Sequence, residues 1–113
     1  NRVLSKLKRV LPNTPVLVVG VSDCSENIDG VWQTMPNVEA IRNAQKKAAF
    51  DNGYPFFDLY KAMGGANSMR SWVDAHLAQE EHKHFTQRGG NLVAKILYRA
   101  LMYEYDQFKK NRL

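Results

Sequence analysis

Residues Val16-Leu17-Val18-Val19 are apolar on every side, and that run constrains the fold more than any other stretch of the chain. A half-covered strand alternates apolar and polar residues, because successive side chains point to opposite faces of its sheet. A strand with no polar side is covered on both faces, as a central strand of a parallel sheet is. Pro15 opens the run and Gly20 closes it. The cover has to come from amphipathic segments elsewhere. Residues 2–11 supply one, placing Val3, Leu4, Leu7, Val10 and Leu11 along one side of a helix that Pro12 and the turn Asn13-Thr14-Pro15 end.

Beyond Gly20, residues 22–36 are polar and rich in turn formers (Asp23, Asn27, Asp29-Gly30) and read as a loop leaving the strand's C-terminal end. Asn37 can cap a second helix to about Asp51, with Val38, Ile41, Ala44, Ala48 and Ala49 inward and Gly53 as its stop. Pro55-Phe56-Phe57-Asp58-Leu59 reads as a second short strand. Gly64-Gly65-Ala66-Asn67-Ser68 is a break, and residues 71–81 carry no clear period. Thr86 can cap a long helix to about Phe108 that buries Leu92, Val93, Ile96, Leu97, Ala100 and Leu101.

Strands alternating with helices predict an α/β fold with a parallel sheet and helices packed on it. Two strands cannot cover three amphipathic helices, and so small a sheet is marginal alone. The chain therefore reads as part of a larger doubly wound domain.

With 113 residues, 44% of them hydrophobic, the chain can form one core. A net charge of +5 and a pI near 9.5 bring nucleic acid into consideration. The cations gather at the two ends (Arg2, Lys6, Lys8, Arg9 and Lys109, Lys110, Arg112), on the polar sides of helices. No zinc-finger spacing, RNP-like strand or recognition helix accompanies them, so no nucleic-acid partner is expected. The longest apolar run, Pro15 to Val21, falls far short of the roughly 20 residues of a spanning helix. No secretory leader is visible, but the first residue is Asn, so a longer parent or a processed start is expected. The compartment stays open, a secreted or periplasmic parent included. Cys24 is the one cysteine, which excludes an internal disulfide. As a thiol nucleophile it lacks an evident activating cation or helix end, and a small loop side chain is the preferred interpretation.

Chemistry concentrates at Glu81-His82-Lys83-His84-Phe85-Thr86, ahead of Gly89-Gly90. An acid three residues before a histidine puts a carboxylate and an imidazole on one loop. In a nucleophile-His-acid triad, the acid accepts a hydrogen bond from one ring nitrogen and leaves the other free to take a hydroxyl proton. Phe85 would wedge this loop against the core. Gly89 and Gly90 would let the first helical turn pack closely. No nucleophile is recognisable: Ser22, Ser25, Ser68 and Ser71 lie outside any Gly-x-Ser-x-Gly elbow. His76, His82 and His84 with Glu80 and Glu81 lack the His-Glu-x-x-His spacing of a helical metal site, and no metal is expected. Asp23 and Asp29 lie where ligands gather in open α/β sheets, though tying down or solvating their loop is the preferred role. Trp32 and Trp72 are either aromatic platforms for sugar or acyl groups or plugs of the core.

The loop resembles the last block of the SGNH (GDSL-type) hydrolases, serine esterases and lipases on a flavodoxin-like sheet. That block runs Asp-x-x-His, often Phe-Thr, then a glycine-bearing linker and a C-terminal helix; here it is Glu81-His82-Lys83-His84-Phe85-Thr86-Gln87-Arg88-Gly89. Pro15 to Gly20 resembles the strand after the family's third block, and the helix ending at Asn52-Gly53 with the strand Pro55 to Leu59 resembles its last helix-strand unit. The resemblance implies that residues 1–113 are the C-terminal part of one three-layer αβα domain with a parallel sheet, lacking its serine-bearing N-terminal part. It implies His84 as the general base and Glu81 as its orienting acid.

Two departures stand out. The acid is Glu where the family has Asp, and the extra methylene displaces the carboxylate by about one bond length, which matters for catalytic placement. The serine block and the oxyanion-hole blocks are absent, so this segment alone is expected to be inactive. The implied substrate is a small ester, with acetylated carbohydrate as one class, and no cofactor is implied. The remaining N-terminal half of the domain is the expected partner, and self-association of the segment is expected from an open sheet edge. The alternative is a non-catalytic α/β binding or assembly module with a basic surface.

Overall fold

The computed structural model describes residues 2–111, which form α1 (Arg2–Val10), β1 (Val18–Val19), β2 (Ser25–Ile28), β3 (Val31–Thr34), α2 (Val38–Asp51), β4 (Phe56–Phe57), α3 (Leu59–Met63), α4 (Ser68–Asp74) and α5 (Gln87–Asn111). β1 and β4 pair in parallel, Val18 opposite Phe56 and Val19 opposite Phe57. Val18 N–H donates to the Pro55 carbonyl (3.0 Å) and Gly20 N–H to that of Phe57 (2.9 Å). α2 lies between the two strands in sequence and packs on both, so β1, α2 and β4 form a parallel crossover unit of an α/β fold. The second strand is shorter than its sequence suggests. Asp58 caps α3 by accepting from Lys61 N–H (3.1 Å), so Leu59 starts a helix.

Three expectations need correction. Residues 22–36 are not one loop. β2 and β3 pair antiparallel from Ser25–Thr34 to Ile28–Val31, around Asp29 (φ 53°) and Gly30 (φ 85°). Two consecutive left-handed residues are what a two-residue hairpin turn needs, and Asp-Gly supplies them. Second, the inner face of α2 is rotated. Val38, Ala48 and Ala49 are buried, but Ile41 and Ala44 are exposed and Arg42 and Gln45 turn inward. Gln45 Oε1 accepts from Val21 N–H (2.8 Å), while Arg42 Nη1 meets Asp58 (3.7 Å) and the guanidinium covers the Tyr60 ring. Asn37 precedes α2 without a side-chain cap bond. Third, the glycine-rich break is a structured reversal, with Gly64, Gly65 and Asn67 at positive φ leading into α4.

The core joins Leu59, Met63, Met69, Trp72 and Ala78, with Phe57, Phe85, Leu92, Val93 and Ile96 packed against it. Trp72 is fastened by donating from Nε1 to the Met63 carbonyl (3.0 Å). Thr86 caps α5 by accepting from Gly89 N–H (3.1 Å). Gly89 is required there, since a Cβ would lie 1.7 Å from the Leu77 carbonyl oxygen, whereas a Cβ on Gly90 would meet nothing within 4 Å.

Other apolar surfaces remain open. Leu97, Ala100 and Leu101 of α5 line a groove of about 890 Å³ with Val16, Leu17 and Phe56 instead of being buried. α1 buries no residue, and its Val3 is 78% exposed. The accessible surface is 7917 Å², against roughly 6,300 Å² for a compact chain of this mass. The radius of gyration, 16.2 Å, likewise exceeds the ~13 Å of a compact 100-residue domain.

Candidate functional site

The loop between α4 and α5 brings Glu81 and His84 together. Glu81 Oε2 lies 2.8 Å from His84 Nδ1. Glu81 Oε1 accepts two backbone N–H groups, from His84 at 2.7 Å and Lys83 at 3.1 Å. The hydrogen bond from the His84 side chain, then the one from its backbone, holds the Glu81 carboxyl below its ordinary value, so it is an ionised acceptor around neutrality. In the neutral ring, an acceptor-only group at Nδ1 places the proton on that nitrogen and leaves the lone pair on Nε2. Nε2 has no partner among the described residues, and the His84 side chain is 79% exposed. The longer acid therefore closes on its histidine, because the loop folds both backbone N–H groups onto the same carboxylate.

Short backbone links hold the loop. Gln79 N–H donates to the His84 carbonyl (2.8 Å), His82 N–H donates to that of Gln79 (2.9 Å), and Ala78 bridges to Phe85. Phe85 packs at 5.4 Å against Trp72, wedging the loop on the core. His82 sits at φ 62° with its ring buried, stacked on Trp32 of β3 at 3.8 Å and 3° between planes. Its Nδ1 faces the Glu80 carbonyl (2.5 Å), and its own carbonyl accepts from Ser25 N–H of β2 (3.0 Å).

The hairpin is anchored in turn by Asp23, which is fully buried. One oxygen accepts from Thr34 Oγ1 (2.8 Å), the other from Met69 N–H at the start of α4 (2.9 Å). Thr34 and Asn67 exchange a further pair, Asn67 N–H to Thr34 Oγ1 (2.7 Å) and Thr34 N–H to Asn67 Oδ1 (3.0 Å). Asp23 is thus a structural knot, and Asp29 is an exposed residue of the hairpin turn.

The remaining candidates separate. Trp72 is a core plug, while Trp32 covers His82. Ser25 and Ser68 are buried, their hydroxyls without a partner among the described residues, Ser22 Oγ lies 3.7 Å from Cys24 Sγ, and Ser71 is exposed on α4. Among the described residues no serine hydrogen-bonds His84. His76, His82 and His84 do not converge: among the described residues no three His, Cys, Asp or Glu side chains form a metal-holding group. A hollow of about 720 Å³ borders the acid, lined by Val73, Asp74, His76, Glu80, Glu81 and Thr86 among others. Sequence reasoning missed the hairpin and the Trp32–His82 stack. The available signal was Asp29-Gly30 between Ile28 and Val31, a turn dipeptide flanked by β-branched residues.

Neither a family model nor a curated protein sequence matches this chain. Among solved structures, that of a peptidoglycan O-acetylesterase superimposes on 94% of it, with a TM-score of 0.85 and 20% sequence identity. The match takes in 31% of that chain. What the two share at that identity is the fold.

Proposed function

We propose that residues 1–113 are the C-terminal part of one SGNH (GDSL-type) hydrolase domain, and that the whole domain is a serine esterase acting on carboxylic esters, with acetylated carbohydrate as its substrate class. The observation that carries this is the Glu81–His84 pair: a carboxylate on Nδ1, an open Nε2, and an exposed ring. His84 Nε2 takes the proton of a seryl hydroxyl as that oxygen attacks the ester carbonyl. The imidazolium, stabilised by Glu81, then gives the proton to the departing alcohol, and water repeats the cycle on the acyl-serine. The serine and the oxyanion donors, the latter contributing several kcal/mol, come from the part of the domain that carries the family's first blocks. The solved esterase of like fold supports the ester class, and its O-acetyl peptidoglycan substrate supports acetylated carbohydrate. The open groove beside Phe56 and Leu97 is the surface the remaining part of the domain would cover.

In the complete protein, His84→Ala is expected to lower kcat for p-nitrophenyl acetate by roughly 10⁴-fold or more, and Glu81→Ala by less. This chain alone is expected to stay at background. An unchanged rate for His84→Ala removes His84 from the mechanism, and serine-reagent-sensitive turnover by the isolated chain would show that a nucleophile lies within it.

A further inference from the structure

We propose that Trp32 is a positioning residue for His84: its indole, stacked on the His82 ring, holds the loop in the shape that joins Glu81 to His84. The inference rests on the reading of His84 as the base and adds to it a residue 52 positions earlier in sequence, whose ring stacks on His82.

The loop needs such a restraint. His82 lies between Glu81 and His84 in the left-handed backbone region, which a residue with a Cβ seldom adopts unless its surroundings impose it. Rotation at that one residue swings the Glu81 carboxylate away from the His84 ring, because the two stand on either side of it. Besides the local bond from His82 N–H to the Gln79 carbonyl, three contacts oppose the rotation: the Glu80 carbonyl on His82 Nδ1, Ser25 N–H on the His82 carbonyl, and the indole face on the His82 ring.

Two of the three come from the β2–β3 hairpin. Ser25 pairs with Thr34 and Asn27 with Trp32, so Ser25, Trp32 and Thr34 share one face of it. Ser25 grips the loop backbone and Trp32 the ring, while Thr34 ties the same face to Asp23. The hairpin is therefore a clamp on the acid–histidine loop, and Trp32 is its only aromatic contact with His82 among the described residues. Face-to-face contact at 3.8 Å also means that a flat ring of similar size can replace the indole, whereas an aliphatic side chain cannot.

The test uses the complete protein, isotopically labelled at histidine and glutamate, and reads the His84 ring nitrogens and the Glu81 carboxyl carbon by NMR. In the unsubstituted protein His84 is expected as the Nδ1–H tautomer, with the Glu81 midpoint below the ordinary carboxylate value. Trp32→Ala is expected to shift the tautomer ratio several-fold toward Nε2–H and to return the Glu81 midpoint toward the ordinary value. Trp32→Phe is expected to restore both. A folded Trp32→Ala protein that keeps the original tautomer and midpoint overturns the proposal, as does a Phe variant no better than Ala. Should the alanine variant fail to fold, Trp32→Leu, which keeps most of the buried volume without a ring, is read in its place by the same criteria. These readouts need no nucleophile. A failure here leaves the esterase reading standing, and failure of the base assignment in the complete protein leaves this result standing.

Discussion

Replacing Gly89 with alanine sets the first turn of α5 against the chain it rests on. The added Cβ would lie 1.7 Å from the Leu77 carbonyl oxygen, 2.7 Å from its carbon and 3.1 Å from its Cα. These are backbone atoms and cannot swing aside, so the two segments must part by more than an ångström. That separation breaks the bond from Thr86 N–H to the Leu77 carbonyl (3.1 Å) and disturbs the Thr86 cap on residue 89. Overpacking of this kind costs about 1–3 kcal/mol, and the lost hydrogen bond about 1 kcal/mol. Against them stands the better helix propensity of alanine, about 1 kcal/mol. The expected net change is a destabilisation of roughly 1–3 kcal/mol. Gly90 is the internal control. Nothing lies within 4 Å of its would-be Cβ, so Gly90→Ala is expected to stabilise by up to about 1 kcal/mol. Urea unfolding followed by far-UV circular dichroism measures both, with the slope checked for constancy. If Gly89→Ala and Gly90→Ala shift the midpoint in the same direction by similar amounts, the close contact at Leu77 is refuted.

Two further outcomes are expected besides the His84 and Glu81 substitutions. Burial, then the hydrogen bond to Glu39 (3.0 Å), pushes the Tyr60 hydroxyl up to about 12 from 10.0. The fold favours the neutral phenol, so stability is unaffected below pH 10 and is lost as pH rises from 10 toward 12, by roughly 2–3 kcal/mol in all. Tyr60→Phe should flatten that alkaline slope in denaturation curves, and an equally steep slope in the variant would assign it to another group. The open apolar surfaces predict self-association: sedimentation velocity should show mass rising with concentration, and a monomer persisting to high concentration would count against exposed sheet edges and the α1 stripe as sticky surfaces.

The parallel pair was legible because Val16 to Val19 and Phe56-Phe57 carry no polar side, a pattern that neither a half-covered strand nor a surface helix produces. α5 was legible from Thr86 and the spacing of Leu92, Val93 and Ile96. The α2 face was misjudged because Ile41 and Ala44 outrank Arg42 and Gln45 on any hydrophobic scale. Burial there follows a long side chain's ability to cover Tyr60 and reach Asp58 or the Val21 amide with its polar end. The hairpin was hidden because its strands carry Ser25, Asn27, Gln33 and Thr34, polar residues that break the apolar alternation of a half-covered strand. The Glu81–His84 contact depends only on local spacing and could be read. The Trp32–His82 stack is a long-range contact with no local signature.

The Asp23 knot has a consequence for how the chain comes together in time. Asp23 meets Met69 across 46 residues, and Thr34 meets Asn67 across 33. Contacts so far apart form only after the intervening chain has closed into a loop, at an entropic cost that local elements do not bear. α2, α5 and the hairpin can each arise from neighbours in sequence, whereas the hairpin reaches His82 only once it has docked beside α4. The Trp32–His82 stack is therefore expected to form late in folding and to be lost early on mild destabilisation. Helical content alone would be a poor gauge of its presence.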